Sequence, residues 1–150
     1  MDALSNIQIT RTMRRFRCFL GVFPSNINPI DFISSFPSCF IMKSLSQSHG
    51  GHWLAFYFSS PNHLEFFDSL GKSLNSYIEI YRHFSQIPHI TSNNLALQTT
   101  MSTLCGDFAI SFLSLRLSGF SYSYIIHIFK HYSNGISRNK FIRRIRLLMK

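Results

Sequence analysis

The sequence predicts an α+β fold, on three observations. Residues 52–58 form an almost unbroken aromatic and aliphatic run, the mark of a central strand buried on both faces. Between residues 74 and 84, Leu74, Tyr77, Ile78, Tyr81 and Phe84 recur at three- and four-residue spacing, which is a helical period. From Cys105 to Leu117 the chain is apolar on most faces, as in a helix enclosed by the core. At 150 residues the chain suits one domain, 1–150, and its 16 phenylalanines supply large apolar area to that core.

Taken in order, residues 1–15 read as a basic arm. Phe16–Phe23 is a strand stopped by Pro24. Asn28-Pro29 offers an N-cap and a proline at the first helical position, opening a short helix to about Phe36. Cys39–Leu45 is a strand. His52–Phe58 and Leu64–Asp68 form a hairpin about the turn Ser59-Ser60-Pro61-Asn62. The helix of residues 74–84 is closed off by Pro88, and Asn94–Gln98 reads as a short strand. Ser102 or Thr103 can cap the helix at Cys105–Leu117, and Ser121 caps another to Tyr132. Gly135 breaks that helix, and Ser137 opens a last basic one over residues 137–150.

Fifteen Lys and Arg face six Asp and Glu, a formal charge of +9. Ten of the fifteen lie at the ends: Arg11, Arg14, Arg15 and Arg17, then Arg138, Lys140, Arg143, Arg144, Arg146 and Lys150. Such ends suit a polyanion, nucleic acid before a membrane surface, and equally suit plain solubility. Three cysteines without a CxxC pair exclude a disulfide framework and a zinc cluster. His127 and His131 lie four apart, but the glutamate of a metalloprotease motif is missing, so no metal is expected. No phosphate-binding glycine loop and no Gly-x-Ser-x-Gly occurs. Neither a signal peptide nor a run of the roughly 18–20 apolar residues that spans a bilayer is seen. A soluble intracellular monomer with reduced thiols is expected.

Four polar residues stand at strand ends and a helix start, where sheet-based enzymes gather reactive groups. Cys105 begins the enclosed helix, whose N-terminus favours a thiolate, and Gly106 lets a substrate backbone approach. Taken alone, Cys105 reads more readily as a buried, inert thiol. His52 starts the aromatic strand and Asp68 ends the next, so the hairpin sets them at one end of adjacent strands. There the carboxylate could orient an imidazole base. Gln98 could offer a side-chain N–H to an oxyanion, beside the Cys105 backbone N–H.

These residues also carry a resemblance. Gly50-Gly51-His52-Trp53-Leu54-Ala55-Phe56, Phe66-Phe67-Asp68-Ser69-Leu70-Gly71, Gln98 and Cys105-Gly106-Asp107-Phe108 resemble the signature blocks of the adenovirus-type cysteine proteases, the adenains. That family shares a clan with the ubiquitin-like-protein-specific proteases and has members in virus-like Polinton/Maverick transposons. The order His–acid–Gln–Cys and the seven-residue step from Gln98 to Cys105 are the family's, and Phe19–Phe23 is similar to an adenain N-terminal segment. The resemblance covers roughly residues 16–120.

It implies a papain-related fold of the adenain type, a mixed central sheet with a buried helix carrying the nucleophile. It implies His52 as base and later acid, Asp68 as its orienter, and Gln98 with the Cys105 amide as oxyanion hole. Trp53, Gly51 and Gly106 would line the substrate cleft. The implied substrates are viral or virus-like structural precursors cut after glycine or another small residue, in the host nucleus or the virion. No cofactor is required for the chemistry, while stimulation by DNA or an activating peptide is the family's habit. Leu104 replaces the aspartate that deconjugases carry before their cysteine, whereas Asp68 in place of the adenain glutamate matches them. No cysteine lies between His52 and Cys105 to link an activating peptide. Two other functions stay open: a ubiquitin-like-protein deconjugase, and a catalytically idle basic module that binds DNA.

Overall fold

The structure is a computed structural model that describes residues 3–45, 51–98, 102–131 and 135–148. Gly50, the residues just after Gln98 and the end of the helix expected at Tyr132 lie outside the described residues.

Among the described residues the strands form one mixed five-stranded sheet in the order β1-β2-β3-β4-β5: Phe19–Pro24, Ser38–Ser44, His52–Ser60, His63–Phe67 and His89–Ser92. The outer pairs β1/β2 and β4/β5 are parallel, and the inner pairs are antiparallel. β3 reads as a continuous apolar run because both its faces are covered. Trp53, Ala55 and Tyr57 pack on one side with Phe108 and Phe112; Leu54, Phe56 and Phe58 pack on the other with Phe84. Phenylalanines do much of the filling: Phe67 stacks on Phe112 at 4.7 Å and Phe56 meets Phe40 and Phe84 at 5.1 Å each. Helix α3, Cys105–Leu117, has the expected bounds and lies against β3 with ten buried residues. Arg116, near its end, grips Glu65 at 2.8 Å and lies over the Tyr57 ring.

The expected arm is instead a helix. Residues Asn6–Met13 form α1, capped by Ser5, whose hydroxyl accepts from the Gln8 N–H while Gln8 Oε1 accepts from the Ser5 N–H. Ile9 and Met13, four apart, are fully buried against the core. Burying each is worth about 1.5–3 kcal/mol, which outweighs the solvation of four nearby arginines. Asn28 caps as expected, but the turn it opens is a single 3₁₀ segment, Pro29–Phe32. The helix expected at 74–84 divides into a 3₁₀ turn, Leu74–Ser76, and α2, Ile78–Phe84, with Tyr77 between them. Ile78 is therefore 72% exposed instead of facing the core.

The strand expected at Asn94–Gln98 is a loop: Asn94 has φ +50°, and the Leu97 and Gln98 N–H groups both donate to the Ser69 carbonyl. β5 is supplied by His89–Ser92, just after Pro88. Ser121 accepts from the Tyr124 N–H at the start of α4, Tyr122–His131. Gly135 opens α5, Gly135–Leu148, instead of ending α4, so Ser137 lies inside the helix. Ile142 is fully buried and Arg146 reaches Asp107 in α3 at 3.2 Å, so both basic ends of the chain pack on the α3 side.

Candidate active site

The β3–β4 register pairs Ala55 with Phe67; one step further, Asp68 is level with Leu54, two residues from His52 on the same face. His52 Nε2 and Asp68 Oδ1 are 2.5 Å apart, and both side chains are buried. Cys105, at the start of α3, is the other group that acts on the ring, and it favours the protonated form. One imidazole is thus acted on by a carboxylate and a thiol, the three groups coming from three separate elements.

Burial alone would lower the His52 pKa. The hydrogen bonds with Asp68 and Cys105, and their negative charges, overcome this and raise it from 6.5 to about 9. Asp68 has no exposed surface, and both of its carboxylate oxygens are engaged. Oδ1 accepts from His52 and the Leu70 N–H, while Oδ2 accepts from the Tyr77 hydroxyl at 2.6 Å and the Lys72 N–H at 3.1 Å. Four donors satisfy the hydrogen-bonding capacity of a carboxylate that water does not reach. Tyr77 itself is pushed well above the usual phenol range by burial and then by the Asp68 charge, so its proton stays on the hydroxyl it donates from. Its ring lies nearly parallel to the imidazole, 6.3 Å away.

The backbone at Asp68 is fixed from the other side by Asn93. Its Oδ1 accepts from the Asp68 N–H at 3.0 Å, and its Nδ2 donates to the Asp68 carbonyl at 2.7 Å. A side-chain amide thereby continues the pairing where β5 has stopped. The turn that follows carries Gly71 at φ +75°, where a Cβ would sit 2.4 Å from the backbone of Leu95 and Ala96. This close contact, with the Ser69 carbonyl holding Leu97 and Gln98, ties the loop of the catalytic acid to that of Gln98.

Gln98 exposes 8% of its surface. Its Nε2 donates to the Ser102 carbonyl at 3.3 Å, which occupies one of two amide hydrogens, and its Oε1 is buried with no partner among the described residues. Cys105 is the first residue of α3. The preceding residue, Leu104, occupies the N-cap position and makes no side-chain cap. The Ser102 hydroxyl accepts only as far back as the Leu104 N–H, at 3.3 Å.

Trp53 and Gly106 are placed against each other: a Cβ at Gly106 would lie 3.1 Å from Trp53 Cδ1 and 3.0 Å from Leu4 Cβ. The indole N–H donates to the Leu4 carbonyl at 2.9 Å, and the Lys43 ammonium lies 5.2 Å from its ring centre. Gly51, at φ +100°, is needed by the entry to β3, where a Cβ would meet the Ser44 carbonyl at 2.8 Å. Tyr77 and Asn93 did not stand out in the sequence. Tyr77 was absorbed into an apolar helix face, and Asn93 into a polar loop; the one usable signal was a hydroxyl on an otherwise apolar face.

Cys39 is fully buried, its thiol pushed up to about 12 by burial and by the nearby Cys18. Among the described residues no cluster of three or more His, Cys, Asp or Glu is arranged to hold a metal ion, and no helix is long and apolar enough to cross a membrane.

No family model matches the chain, and no curated protein does. Solved structures do. The ASFV pS273R protease superposes at a TM-score of 0.62 with 15% identity, over 97% of this chain and 66% of that one. The fold is a cysteine-protease fold. The central domain of Lpg1148 from Legionella pneumophila aligns over 99% of this chain and 98% of that domain, at TM-score 0.60 and 16% identity. ChlaDub1 from Chlamydia trachomatis aligns over 75% and 59%, at 0.53 and 13%. This chain therefore spans less than two thirds of ChlaDub1 and about two thirds of the ASFV protease. At these identities the likeness is one of fold.

Proposed function

We propose that the chain is a cysteine endopeptidase acting through a Cys105 thioester. The observation that carries this reading is the buried His52–Asp68 pair, 2.5 Å apart, with Cys105 at the start of α3 close enough to raise the ring's pKa. In this mechanism His52 already holds the thiol proton on Nδ1, so Cys105 meets the substrate as a thiolate, while Nε2–H stays directed at Asp68. The sulfur attacks the scissile carbonyl carbon, and the oxyanion is met by the Cys105 backbone N–H and the free hydrogen of Gln98 Nε2. The imidazolium then protonates the departing amine as the C–N bond breaks. His52 next deprotonates a water that attacks the thioester, and the thiolate expelled restores the imidazolium–thiolate pair. Asp68 keeps the ring in the one tautomer and orientation that serves both halves.

The proposed substrates are structural precursor proteins of a virus or virus-like element, cut after glycine or a similarly small residue. The site of action would be the host nucleus or the virion, with the exposed arginines of α1 and α5 available to a polyanion. Resemblance to the adenains supports this choice. A second reading, removal of a ubiquitin-like modifier, is favoured by the likeness to the deubiquitinase ChlaDub1. Purified protein should cleave glycine-containing peptides and lose this in Cys105→Ala and His52→Ala. Labelling of Cys105 by a modifier ending in a Gly-Gly electrophile, without cleavage of free peptides, would favour the second reading.

A further inference from the structure

A cavity of about 310 Å³ opens beside the candidate site, between the end of β2 and the start of α2. It is lined by Ser25, Ser44, Leu45, Tyr77, Ile78 and Glu79 among others. Two of these connect it to the chemistry. Ser44 is the β2 partner of His52, and the Tyr77 hydroxyl holds Asp68. The opening thus shares two residues with the structure that holds His52 and Asp68.

Its lining is mixed in a particular way. Leu45 and Ile78 are 66% and 72% exposed, large apolar side chains that the core does not use. Glu79 contributes a carboxylate that accepts from the Ser25 hydroxyl at 3.1 Å. Among the described residues Glu65, Asp68 and Asp107 are each paired with a cation, whereas Glu79 enters no ion pair, although Arg82 is one turn along the same helix. Arg82 and His83 line an adjoining cavity of about 360 Å³ that shares Glu79, Ser25 and Leu45 with the first. An apolar rim beside a carboxylate in no ion pair and serine hydroxyls matches a side chain with an aliphatic stem and a cationic end.

We infer that this cavity is a specificity subsite that takes a lysine or arginine side chain of the substrate, with Glu79 as its ionic partner. The inference rests on the peptidase reading above. Stem methylenes lie on Leu45 and Ile78, and the cation meets Glu79 while its remaining hydrogens go to serine oxygens. An ion pair this exposed supports a preference of about threefold to fivefold, not an absolute requirement.

The test compares glycine-containing peptides that differ only by lysine or norleucine at successive positions before the cut. Wild type should favour lysine by about threefold to fivefold in kcat/KM at one position. Glu79→Gln should bring that ratio to about one, and Glu79→Lys should invert it. Equal or norleucine-biased cleavage at every position, or a lysine preference that survives Glu79→Gln, overturns the subsite. Should wild type cleave neither peptide and Cys105 resist labelling, the peptidase reading fails separately. The subsite is then judged by NMR titration of the same peptides. Tighter lysine binding that shifts the Ile78 and Ile80 amides and is lost in Glu79→Gln supports it; its absence refutes it.

Discussion

Replacing Asp68 by asparagine keeps the shape of the side chain and removes its charge, and the structure sets the size of the response. His52 is raised from 6.5 to about 9, and at 1.36 kcal/mol per pH unit this is about 3 kcal/mol favouring the protonated ring. The ring is only 11% exposed, so solvent screening removes little of it. Below pH 6.5 the folded and unfolded chains both hold the proton, and the contribution is fully present. Between 6.5 and about 9 the unfolded chain has lost a proton that the folded chain keeps. Stability therefore falls as pH rises through this window, and the contribution is gone above about 9. In Asp68→Asn burial still opposes the charge and Cys105 alone supports it, so the His52 pKa should fall by about 2. The assay is the alkaline limb of kcat/KM on a glycine-containing peptide, with the His52 ring followed by NMR. Wild type should lose activity near pH 9, and the variant near pH 7 with at least about a hundredfold lower maximum. A wild-type limb near 6.5, or the same limb in both proteins, would refute the electrostatic account of this site.

Tyr77→Phe removes one of four donors to Asp68 while leaving the ring in place; kcat should fall about tenfold, with KM little changed, a split readable in steady-state kinetics. Gln98→Ala removes the proposed side-chain donor to the oxyanion and should lower kcat by about a hundredfold to a thousandfold, while leaving the rate of Cys105 alkylation near that of wild type. Gly71→Ala forces a Cβ into the backbone of Leu95 and Ala96 at a left-handed position; denaturant unfolding should show a loss of at least about 2 kcal/mol. Neutralising Arg143 and Arg144, both exposed on α5, should weaken duplex DNA binding in a salt-dependent manner and equally for unrelated sequences, as measured by fluorescence anisotropy.

What the sequence made legible follows from how local each signal is. Helix α3 and strand β3 are long, strongly patterned and buried, so the bounds of α3 and the start of β3 are readable, although β3 runs on to Ser60; hairpin register alone sets His52 and Asp68 at one end. The N-terminal helix was hidden by its arginines, although Ser5 and Gln8 spell a capping box ahead of Ile9 and Met13. Gly106 packs against Leu4 and Trp53, neighbours from outside its own segment. Asn93 and Tyr77 are likewise placed by a distant partner. Their hydrogen bonds to Asp68 span 25 and 9 residues, distances over which a single sequence carries no periodic trace.

The central claim is that Cys105 is a nucleophile primed by His52, and active-site titration with a glycine-containing peptidyl electrophile tests it most directly. The account predicts one label per chain, located by mass spectrometry at Cys105. Labelling should be lost in Cys105→Ala and slowed at least about a hundredfold in His52→Ala, while the deeply buried Cys39 stays unmodified. A native chain that takes up no label at Cys105, yet reacts there once denatured, would contradict the account and leave the catalytically idle reading in its place.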